Sequence, residues 1–352
     1  MKPVRLGFIG LGHISTHAHL PGLAPLIEAG EVVLRAFCDV SEENVKKQAE
    51  VFKPGAVYTD HRAMLEKEGL DAVYVCIPPT LHTDEVLTTV EKGVAVFVEK
   101  PQTLDLAQAV RFDAAVRKAG VVSQVGFMSR YYPSSEKVRD LLRERTPRHA
   151  QVQLFYGGKP IRYWTSRYEL CGGSFVENTI HMVDLLRYFL GDITLASAFY
   201  VARRPGEGPE PMNLPHVYNV SYRFASGATA NCTTSRVLTN VNASRREVVI
   251  VSDDSLIEWS GQKVVENGKT VYEAAERPNP FALQARAFVE AVRAGDPGRM
   301  RSSYANGMNS LAAVLGANAS AERGGQVVAL DDLIAGKVTW TPPRGDGSPR
   351  NP

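Results

Sequence analysis

The stretch of sequence that decides the fold is Leu6-Gly7-Phe8-Ile9-Gly10-Leu11-Gly12-His13-Ile14-Ser15. The apolar run from Val4 to Ile9 predicts a short buried strand. The residues after it have the spacing of a dinucleotide-binding turn in which Ser15 replaces the third glycine. In such a turn Gly10 allows a tight bend, Gly12 lets a pyrophosphate approach the backbone, and a small third residue lets helix and strand pack. The sequence therefore predicts a nucleotide-binding turn near the start of the chain.

An acidic residue follows the second apolar run. Glu31 to Phe37 is predicted as a strand, and Asp39 comes just after it, near the roughly 20-residue spacing at which a carboxylate accepts hydrogen bonds from the ribose. A carboxylate there repels a 2′-phosphate, so the pattern favours NAD over NADP. The alternative is that Asp39 only caps the helix predicted for residues 41–51.

The composition argues against several classes of protein. The chain has 352 residues, enough for two domains, and its 40 basic and 38 acidic side chains give a net charge of +2. Because there is no basic stripe, no nucleic-acid partner is expected. No apolar run reaches the about 18 residues of a membrane span, and the residues before the first strand do not resemble a signal peptide. The four cysteines have no CxxC spacing, which favours reduced thiols in the cytoplasm.

Apolar strands alternate with helical patterns over residues 1–127, which predicts a parallel sheet covered on both faces. Further strands are expected at 71–77, 94–98 and 121–126. Two prolines, Pro78 and Pro79, end the first of these at the carboxyl edge of the sheet, where ligands bind. Besides the two glycines and Asp39, the predicted cofactor contacts are His13, Ile14, Ile77, Pro78, His82, Glu99 and Lys100. The alternative is that His82 is not a cofactor contact but a partly exposed residue at the start of a helix.

The pattern changes near residue 128. Partial alternation of apolar and polar residues predicts an antiparallel sheet with one covered face, at 148–156, 194–204, 217–224, 228–238 and 246–252. Helices are expected at 281–294 and 304–322. We therefore expect an α/β nucleotide-binding domain at 1–127, an α+β substrate-binding and oligomerisation domain at 128–340, and a flexible tail at 341–352. Apolar surface on the uncovered sheet face would favour a homodimer or homotetramer.

A second informative segment, CGGSFVENTIHMVD, spans residues 171–184. Ser174 and Glu177 have the spacing of a capping box, which predicts a helix that continues to about residue 190. Glu177, His181 and Asp184 are spaced to share one face of that helix. The alternatives are that Glu177 only closes the capping box and that His181 is an ordinary core histidine.

Hydride transfer from a secondary alcohol requires a base for the hydroxyl proton and a donor that stabilises the developing alkoxide. Histidine titrates nearest neutrality of all side chains, so His181 suits the base. Lys100 comes from a different strand and can donate a hydrogen bond to the reacting hydroxyl.

The order of five motifs carries a family resemblance. GFIGLGHIS, an acid after the second strand, DAVYVCIPPTLH, VAVFVEKP and VGFMSRYYP together resemble the glucose-fructose oxidoreductase, inositol dehydrogenase and MocA family. The motifs are recognisable from residue 4 to about residue 190, and the pattern continues to about residue 335. The resemblance implies a Rossmann domain followed by an open-faced, mostly antiparallel sheet domain with helices.

The resemblance also implies a catalytic set. It assigns catalysis to the lysine of a Glu-Lys-Pro stretch, here Lys100, and to the histidine of a Gly-Gly-led helix, here His181. The family acid four residues before that histidine is commonly Asp, and here it is Glu177. Thr179 and Cys171 stand where glycines are frequent. Asp184 also matches, with a structural role implied.

The substrate contacts expected are Arg130, Trp164 and Arg167, because arginine binds hydroxyls and acids and an aromatic face suits a sugar ring. Surface salt bridges are the alternative for each arginine. His13, His17 and His19 lie close in sequence, but no metal site is expected because no cysteine or carboxylate set accompanies them.

These patterns lead to one expected function and two rivals. We expect an NAD-dependent dehydrogenase that acts on a sugar, cyclitol or sugar acid. One rival is an enzyme that keeps NAD bound as a redox shuttle for glycoside cleavage or epimerisation. The other is a sugar-responsive regulator that binds NAD without catalysis, because a fold alone does not establish activity.

Overall fold

A computed structural model describes residues 2–343 except 158–162, 205, 208–209, 211 and 239. The chain divides into two compact units. The first unit comprises Met1–Thr103, Gln108–Tyr132 and Pro278–Met308. The second unit comprises Leu104–Ala107, Pro133–Arg277 and Asn309–Pro352.

The strands and helices are numbered in chain order. The strands are β1 (Val4–Ile9), β2 (Val32–Cys38), β3 (Ala56–Tyr58), β4 (Ala72–Val75), β5 (Ala95–Val98), β6 (Ser123–Val125), β7 (Pro147–Phe155), β8 (Ile193–Val201), β9 (Val217–Phe224), β10 (Thr229–Ser235), β11 (Arg245–Ser252), β12 (Leu256–Trp259), β13 (Lys263–Glu266), β14 (Lys269–Glu273) and β15 (Val328–Ala329). The α-helices are α1 (Leu20–Glu28), α2 (Glu42–Phe52), α3 (His61–Lys67), α4 (Glu85–Glu91), α5 (Leu106–Ala119), α6 (Pro133–Leu142), α7 (Tyr168–Cys171), α8 (Ile180–Leu190), α9 (Pro280–Ala294), α10 (Tyr304–Glu322) and α11 (Leu330–Ile334). Short π-helical segments lie at Ser15–His19 and Phe175–Thr179.

The first unit contains a six-stranded parallel sheet with the strand order β3-β2-β1-β4-β5-β6. Every residue of β4 and β5 is buried, because helices cover both faces of such a sheet. The strand order reverses between β1 and β4. Ligands bind at the carboxyl ends of the strands beside such a reversal. The predicted Rossmann fold is therefore confirmed.

Stacked aromatic rings form the centre of the first unit. Tyr74 lies between Phe8 and Phe97, with ring centroids 4.8 Å and 4.3 Å away. Phe288 of α9 contacts the edges of this stack, 5.5 Å from Tyr74 and 5.7 Å from Phe97. Gly22 permits close packing with α9, since a Cβ there would lie 3.1 Å from the backbone of Phe281. The segment from 278 to 308 therefore completes the core of the first unit, although it lies far along the chain.

The second unit contains a nine-stranded sheet in the order β14-β13-β12-β11-β7-β10-β9-β8-β15. Its strand pairs are antiparallel except for β7 with β10. Tyr218, Val220 and Tyr222 of β9 are buried on the helix-covered face. The hydroxyl of Tyr222 donates to the carbonyl of Ala313 in α10, at 3.1 Å. The predicted mostly antiparallel sheet with one covered face is confirmed.

The other face of this sheet is polar at its centre. Ser221 donates to Asn231 across β9 and β10 at 3.0 Å, and Thr233 donates to Asn219 at 3.5 Å. The expectation of an apolar surface is therefore wrong there, because amides and hydroxyls occupy the outward positions of the alternation. Exposed apolar side chains lie at the β8 side of the face, where Phe199 is 64% exposed.

The division into domains at 1–127 and 128–340 remains our prediction. In the structure, the first compact unit extends to Tyr132 and also includes residues 278–308. Most of the predicted tail, from residue 344 onward, lies outside the described residues. Among the helices that the structure describes, none is long and apolar enough to cross a membrane. The four cysteines are buried and form no disulfide.

Candidate active site

The turn after β1 requires glycine at residue 10. Gly10 has a φ of 86°, and a Cβ there would lie 2.6 Å from the carbonyl oxygen of Cys76. The third position of the motif is equally close-packed: Ser15 is fully buried, and its hydroxyl donates to the carbonyl of Gly10 at 2.7 Å. The predicted close packing at Ser15 is confirmed.

Gly12 faces open space instead. A Cβ at Gly12 would meet no atom within 4 Å, so the backbone of the turn is accessible to a large ligand. His13 and Ile14 form the helical turn that follows, and His13 is exposed. A pyrophosphate needs accessible backbone at the start of a helix, and this turn provides it. The residues present therefore fit a dinucleotide.

The carboxylate of Asp39 organises this turn. Its Oδ2 accepts from the backbone N–H of Leu11 at 2.8 Å and from the amide of Asn44 at 2.9 Å, and its Oδ1 accepts from the N–H of Ser41 at 3.0 Å. Ser41 caps α2 with its own hydroxyl. The alternative that Asp39 merely caps this helix is therefore wrong. Val40, beside it, is 84% exposed.

Glu99 lies at the carboxyl end of β5, where the cofactor contact was predicted, but its carboxylate is buried. Its Oε1 is 2.7 Å from Nε2 of His19, and its Oε2 accepts from the N–H of Lys100 at 2.9 Å. A Cβ on Gly126 would lie 2.5 Å from Oε1, so the space around the carboxylate is closed. A buried carboxylate needs such partners. The carboxylate of Glu99 holds the backbone of Lys100, and the contact of Glu99 with the cofactor stays a prediction.

His19 reaches Glu99 from the π-helical segment after the glycine turn. Its ring contacts Tyr74, Phe97 and Phe281 at centroid distances of 4.9 to 5.5 Å. Among the described residues, no group of three or more histidine, cysteine or carboxylate side chains could hold a metal ion.

His82 is enclosed within the first unit. Its Nδ1 is hydrogen-bonded to Glu85, and its ring packs on the edge of Phe112. Burial raises the pKa of Glu85, but the hydrogen bond and charge of His82 outweigh it, so that the pKa lies below its ordinary value. Helix α4 begins three residues later, so the expectation of a partly exposed helix-start residue is wrong. Ile77 and Pro78 are partly exposed after β4, next to Gly10.

The helix that carries Glu177 and His181 begins differently from the prediction. Ser174 already has helical angles, φ −61° and ψ −23°, and its side chain caps no backbone N–H. Instead its hydroxyl accepts from Nε of Arg236 at 3.2 Å, and its N–H donates to the hydroxyl of Tyr218 at 3.0 Å. The predicted capping box is therefore wrong, because other groups satisfy the start of this helix.

Glu177, His181 and Asp184, which were predicted to share one face, differ in burial. Glu177 and His181 are partly exposed, whereas Asp184 is fully buried and accepts from the hydroxyl of Ser310 at 2.7 Å. Glu177 lies in the π-helical segment Phe175–Thr179, whereas His181 and Asp184 lie in α8. Asp184 therefore joins α8 to α10.

The three predicted substrate contacts have partners within their own units. Arg130 is 3% exposed and donates to the carbonyl of Arg301. Arg167 forms an ion pair with Glu169 at 2.5 Å. Trp164 packs against a small cluster of Cys171, Met212 and Leu214. The preceding arginine, at position 162, lies outside the described residues.

Sequence reasoning missed a cluster near Glu177. The hydroxyl of Tyr156 donates to Oδ1 of Asn178 at 2.5 Å, and the guanidinium of Arg236 lies 4.1 Å above its ring. Arg246 lies on β11, with its Nη2 3.8 Å from Sδ of Met182. Burial raises the pKa of Tyr156 to about 12. All three residues lie within the predicted strands, and the alternation of those strands would have placed their side chains on the helix-covered face.

Comparison with known families agrees with this architecture. Residues 4–127 match the family described as an oxidoreductase family with an NAD-binding Rossmann fold, and residues 137–256 match the GFO/IDH/MocA C-terminal domain. The chain belongs to the Gfo/Idh/MocA oxidoreductase family. The resemblance predicted from its motifs is thereby confirmed.

Several Gfo/Idh/MocA proteins are similar to this chain. It is 30% identical to myo-inositol 2-dehydrogenase of Thermotoga maritima over 189 residues, which are 54% of this chain and 55% of that protein. It is 26% identical to dTDP-3,4-didehydro-2,6-dideoxy-alpha-D-glucose 3-reductase of Actinomadura kijaniata over 322 residues. This alignment covers 84% of this chain and 89% of that relative. Levoglucosan dehydrogenase in complex with NADH and L-sorbose has the same fold, with a TM-score of 0.81, 17% identity and coverage of 94% and 99% of the two chains.

The two glycines of the turn should respond differently to alanine. Gly10→Ala should lower the free energy of unfolding by about 2 kcal/mol or more, because of its positive φ and its contact with Cys76. Gly12→Ala should change it by less than about 0.5 kcal/mol but weaken NADH binding about tenfold or more, because the methyl group occupies ligand space. Urea denaturation and NADH fluorescence titration measure the two effects. Unchanged NADH affinity in Gly12→Ala would contradict the assignment of this turn.

Proposed function

We propose that this Gfo/Idh/MocA protein transfers a hydride between NAD and a secondary hydroxyl of a sugar, cyclitol or sugar acid. The observation that carries the proposal is the position of Lys100 within the first unit. The glycine turn follows β1 and Lys100 follows β5, and both strands end at the carboxyl edge of one parallel sheet. One strand separates them, which corresponds to about 10 Å between strand axes. The named sugar and polyol dehydrogenases among the relatives support the same reaction class.

The proposed chemistry gives each of three side chains a role. When NAD is bound, its nicotinamide supplies the hydride acceptor. The ammonium group of Lys100 donates a hydrogen bond to the reacting hydroxyl and stabilises the negative charge that develops on its oxygen. His181 accepts the hydroxyl proton as general base. Glu177 orients His181 or binds a neighbouring hydroxyl.

We propose NAD rather than NADP as the physiological cofactor. Asp39 holds the glycine turn with three hydrogen bonds, and a carboxylate has about four acceptor positions. The remaining position can accept from a ribose hydroxyl, whereas the negative charge repels a 2′-phosphate. The next residue is Val40, which offers no cation to such a phosphate.

We also propose a homodimer or homotetramer formed through the uncovered face of the nine-stranded sheet. Its polar centre can form hydrogen bonds between copies, and the exposed Phe199 and Val201 provide apolar contacts beside it.

Replacing the proton-handling residues should greatly lower the rate of turnover. Lys100→Met and His181→Gln should each lower kcat by about 10²-fold to 10⁴-fold, the usual contribution of a positioned acid or base. Lys92→Met is the matched control, because Lys92 forms an exposed ion pair with Glu66. Absorbance of reduced nicotinamide over a panel of polyols, sugars and sugar acids measures the rates. A Lys100→Met protein with the wild-type rate would refute its role.

Cofactor selectivity should depend on Asp39. The double variant Asp39→Asn, Val40→Arg should lower the ratio of kcat/KM for NAD to that for NADP by about tenfold or more, which corresponds to about 1.4 kcal/mol. Val40→Gln is the control, since it changes the exposed neighbour without removing the carboxylate. Equal use of both cofactors by the wild-type protein would overturn the assignment.

The mass in solution tests the proposed assembly. Light scattering should give two or four times the chain mass of 38.5 kDa. Asn231→Lys should favour the monomer, because it places a charge at the centre of the uncovered face. A wild-type protein that elutes as a monomer at micromolar concentration would contradict the proposal.

A further inference from the structure

The arginines of the second unit differ in their partners. Arg145, Arg148, Arg167, Arg187 and Arg245 all form ion pairs with Asp or Glu. Within the part of the chain that the structure describes, Arg236 and Arg246 have no carboxylate at ion-pair distance. Two such cations near each other repel, and a ligand anion would relieve that repulsion.

Both arginines point to the helix-covered face of the sheet, at the end where β7 and β10 stop and β11 starts. Arg246 is the cross-strand partner of Leu154, which is buried on that face. Tyr156 lies two residues beyond Leu154 and therefore on the same side. The N–H of Tyr156 donates to the carbonyl of Ser235, the residue before Arg236, at 3.0 Å. Three adjacent strands thus bring Tyr156, Arg236 and Arg246 together.

The contacts of the two guanidinium groups leave donors available. Arg236 lies over the ring of Tyr156 and donates through Nε to Ser174 at 3.2 Å. Arg246 lies 5.8 Å from the ring centroid of Trp259 and donates from Nη2 to the sulfur of Met182 at 3.8 Å, a weak acceptor. Ser174 and Tyr156 therefore fix the position of Arg236, while its two terminal nitrogens have no acceptor among the described residues.

This basic cluster adjoins the residues assigned to catalysis. The hydroxyl of Tyr156 donates a hydrogen bond to Asn178, which is the residue after Glu177. The charges of Arg236 and Arg246 lower the pKa of Tyr156, and Glu177 raises it, although burial has the largest effect. All three charged side chains therefore act on one hydroxyl group. His181 comes four residues after Glu177 along the chain.

We propose that Arg236 and Arg246, with Tyr156 between them, bind an anionic group of the substrate, so that the substrate is an acidic sugar rather than a neutral one. The proposal rests on the proposed function and adds its substrate class. Guanidinium groups present planar pairs of donors that match a carboxylate or a phosphate. The anionic group would occupy the basic cluster while the reacting hydroxyl lies near His181.

Binding and turnover of matched ligands test the proposal. The full chain with saturating NADH is titrated by calorimetry with a series of hexuronates, the hexose 6-phosphates of the same configurations and the corresponding neutral hexoses. The same ligands are then tested for NAD reduction. At least one acidic ligand should bind tenfold more tightly than its neutral counterpart, and its affinity should fall as salt increases. The preferred anion distinguishes a carboxylate from a phosphate subsite.

The variants are Arg236→Gln, Arg246→Gln and Arg236→Lys, with Arg245→Gln as control. Arg245 is adjacent to Arg246 but lies on the opposite face, paired with Glu247 at 2.8 Å. Each Gln variant should lose tenfold or more in affinity for the acidic ligand and less than twofold for any neutral one. Arg236→Lys should keep part of the affinity, and the control should keep all of it. Circular dichroism checks that each variant is folded.

The outcomes separate this inference from the proposed function. Equal binding of acidic and neutral sugars, unaffected by the Arg236 and Arg246 variants, would overturn the anion subsite even if the protein oxidises neutral sugars. Failure of every acidic ligand to bind would overturn it too. Charge-selective binding that is lost in the variants, without NAD reduction by any ligand, would support the subsite and refute the dehydrogenase function.

Discussion

A buried hydrogen bond joins two parts of the first unit that the proposed reaction needs together. His19 belongs to the π-helical segment that follows the glycine turn, and Glu99 ends the strand that leads to Lys100. The second oxygen of Glu99 accepts from the backbone of Lys100. Because a buried carboxylate without partners costs several kcal/mol, this arrangement strongly favours one geometry of the sheet edge. The position of the lysine backbone is thus linked to the nucleotide turn through the core.

In the second unit, glycines and buried polar contacts hold the helix that carries Glu177 and His181. Gly172 and Gly173, both with positive φ, turn the chain into the helix that presents Glu177 and His181. The hydroxyl of Tyr218 then accepts from the N–H of Ser174, and Asp184 holds α8 against α10 through Ser310. Buried polar contacts therefore hold this helix in place, while Glu177 and His181 on it are partly exposed.

Local patterns in the sequence were sufficient to predict the sheet and the turn. The alternation of strands and helices and the spacing of Gly10, Gly12 and Ser15 depend on contacts close in sequence, so they could be predicted. The packing of α9 on Tyr74 and Phe97 could not, because it joins segments about 200 residues apart and leaves no local signal.

The candidate site was predictable only in part. Glu99 and His82 follow strands at the expected edge of the sheet, but their side chains are buried. The sequence motifs do not reveal this burial. The predicted capping box does not form because Ser174 already has helical angles and its N–H and hydroxyl are hydrogen-bonded to Tyr218 and Arg236. Arg236 and Arg246 lie within the predicted strands at 228–238 and 246–252, but local alternation does not show which residues of separate strands come together.

The most direct test of the account is a crystal structure of the protein with NAD and a sugar that it oxidises. We predict that Nζ of Lys100 and a ring nitrogen of His181 both lie about 3 Å from the oxygen of one substrate hydroxyl, whose carbon faces the nicotinamide. A complex in which that oxygen contacts neither side chain, or in which the two residues bind different ligands, would contradict it.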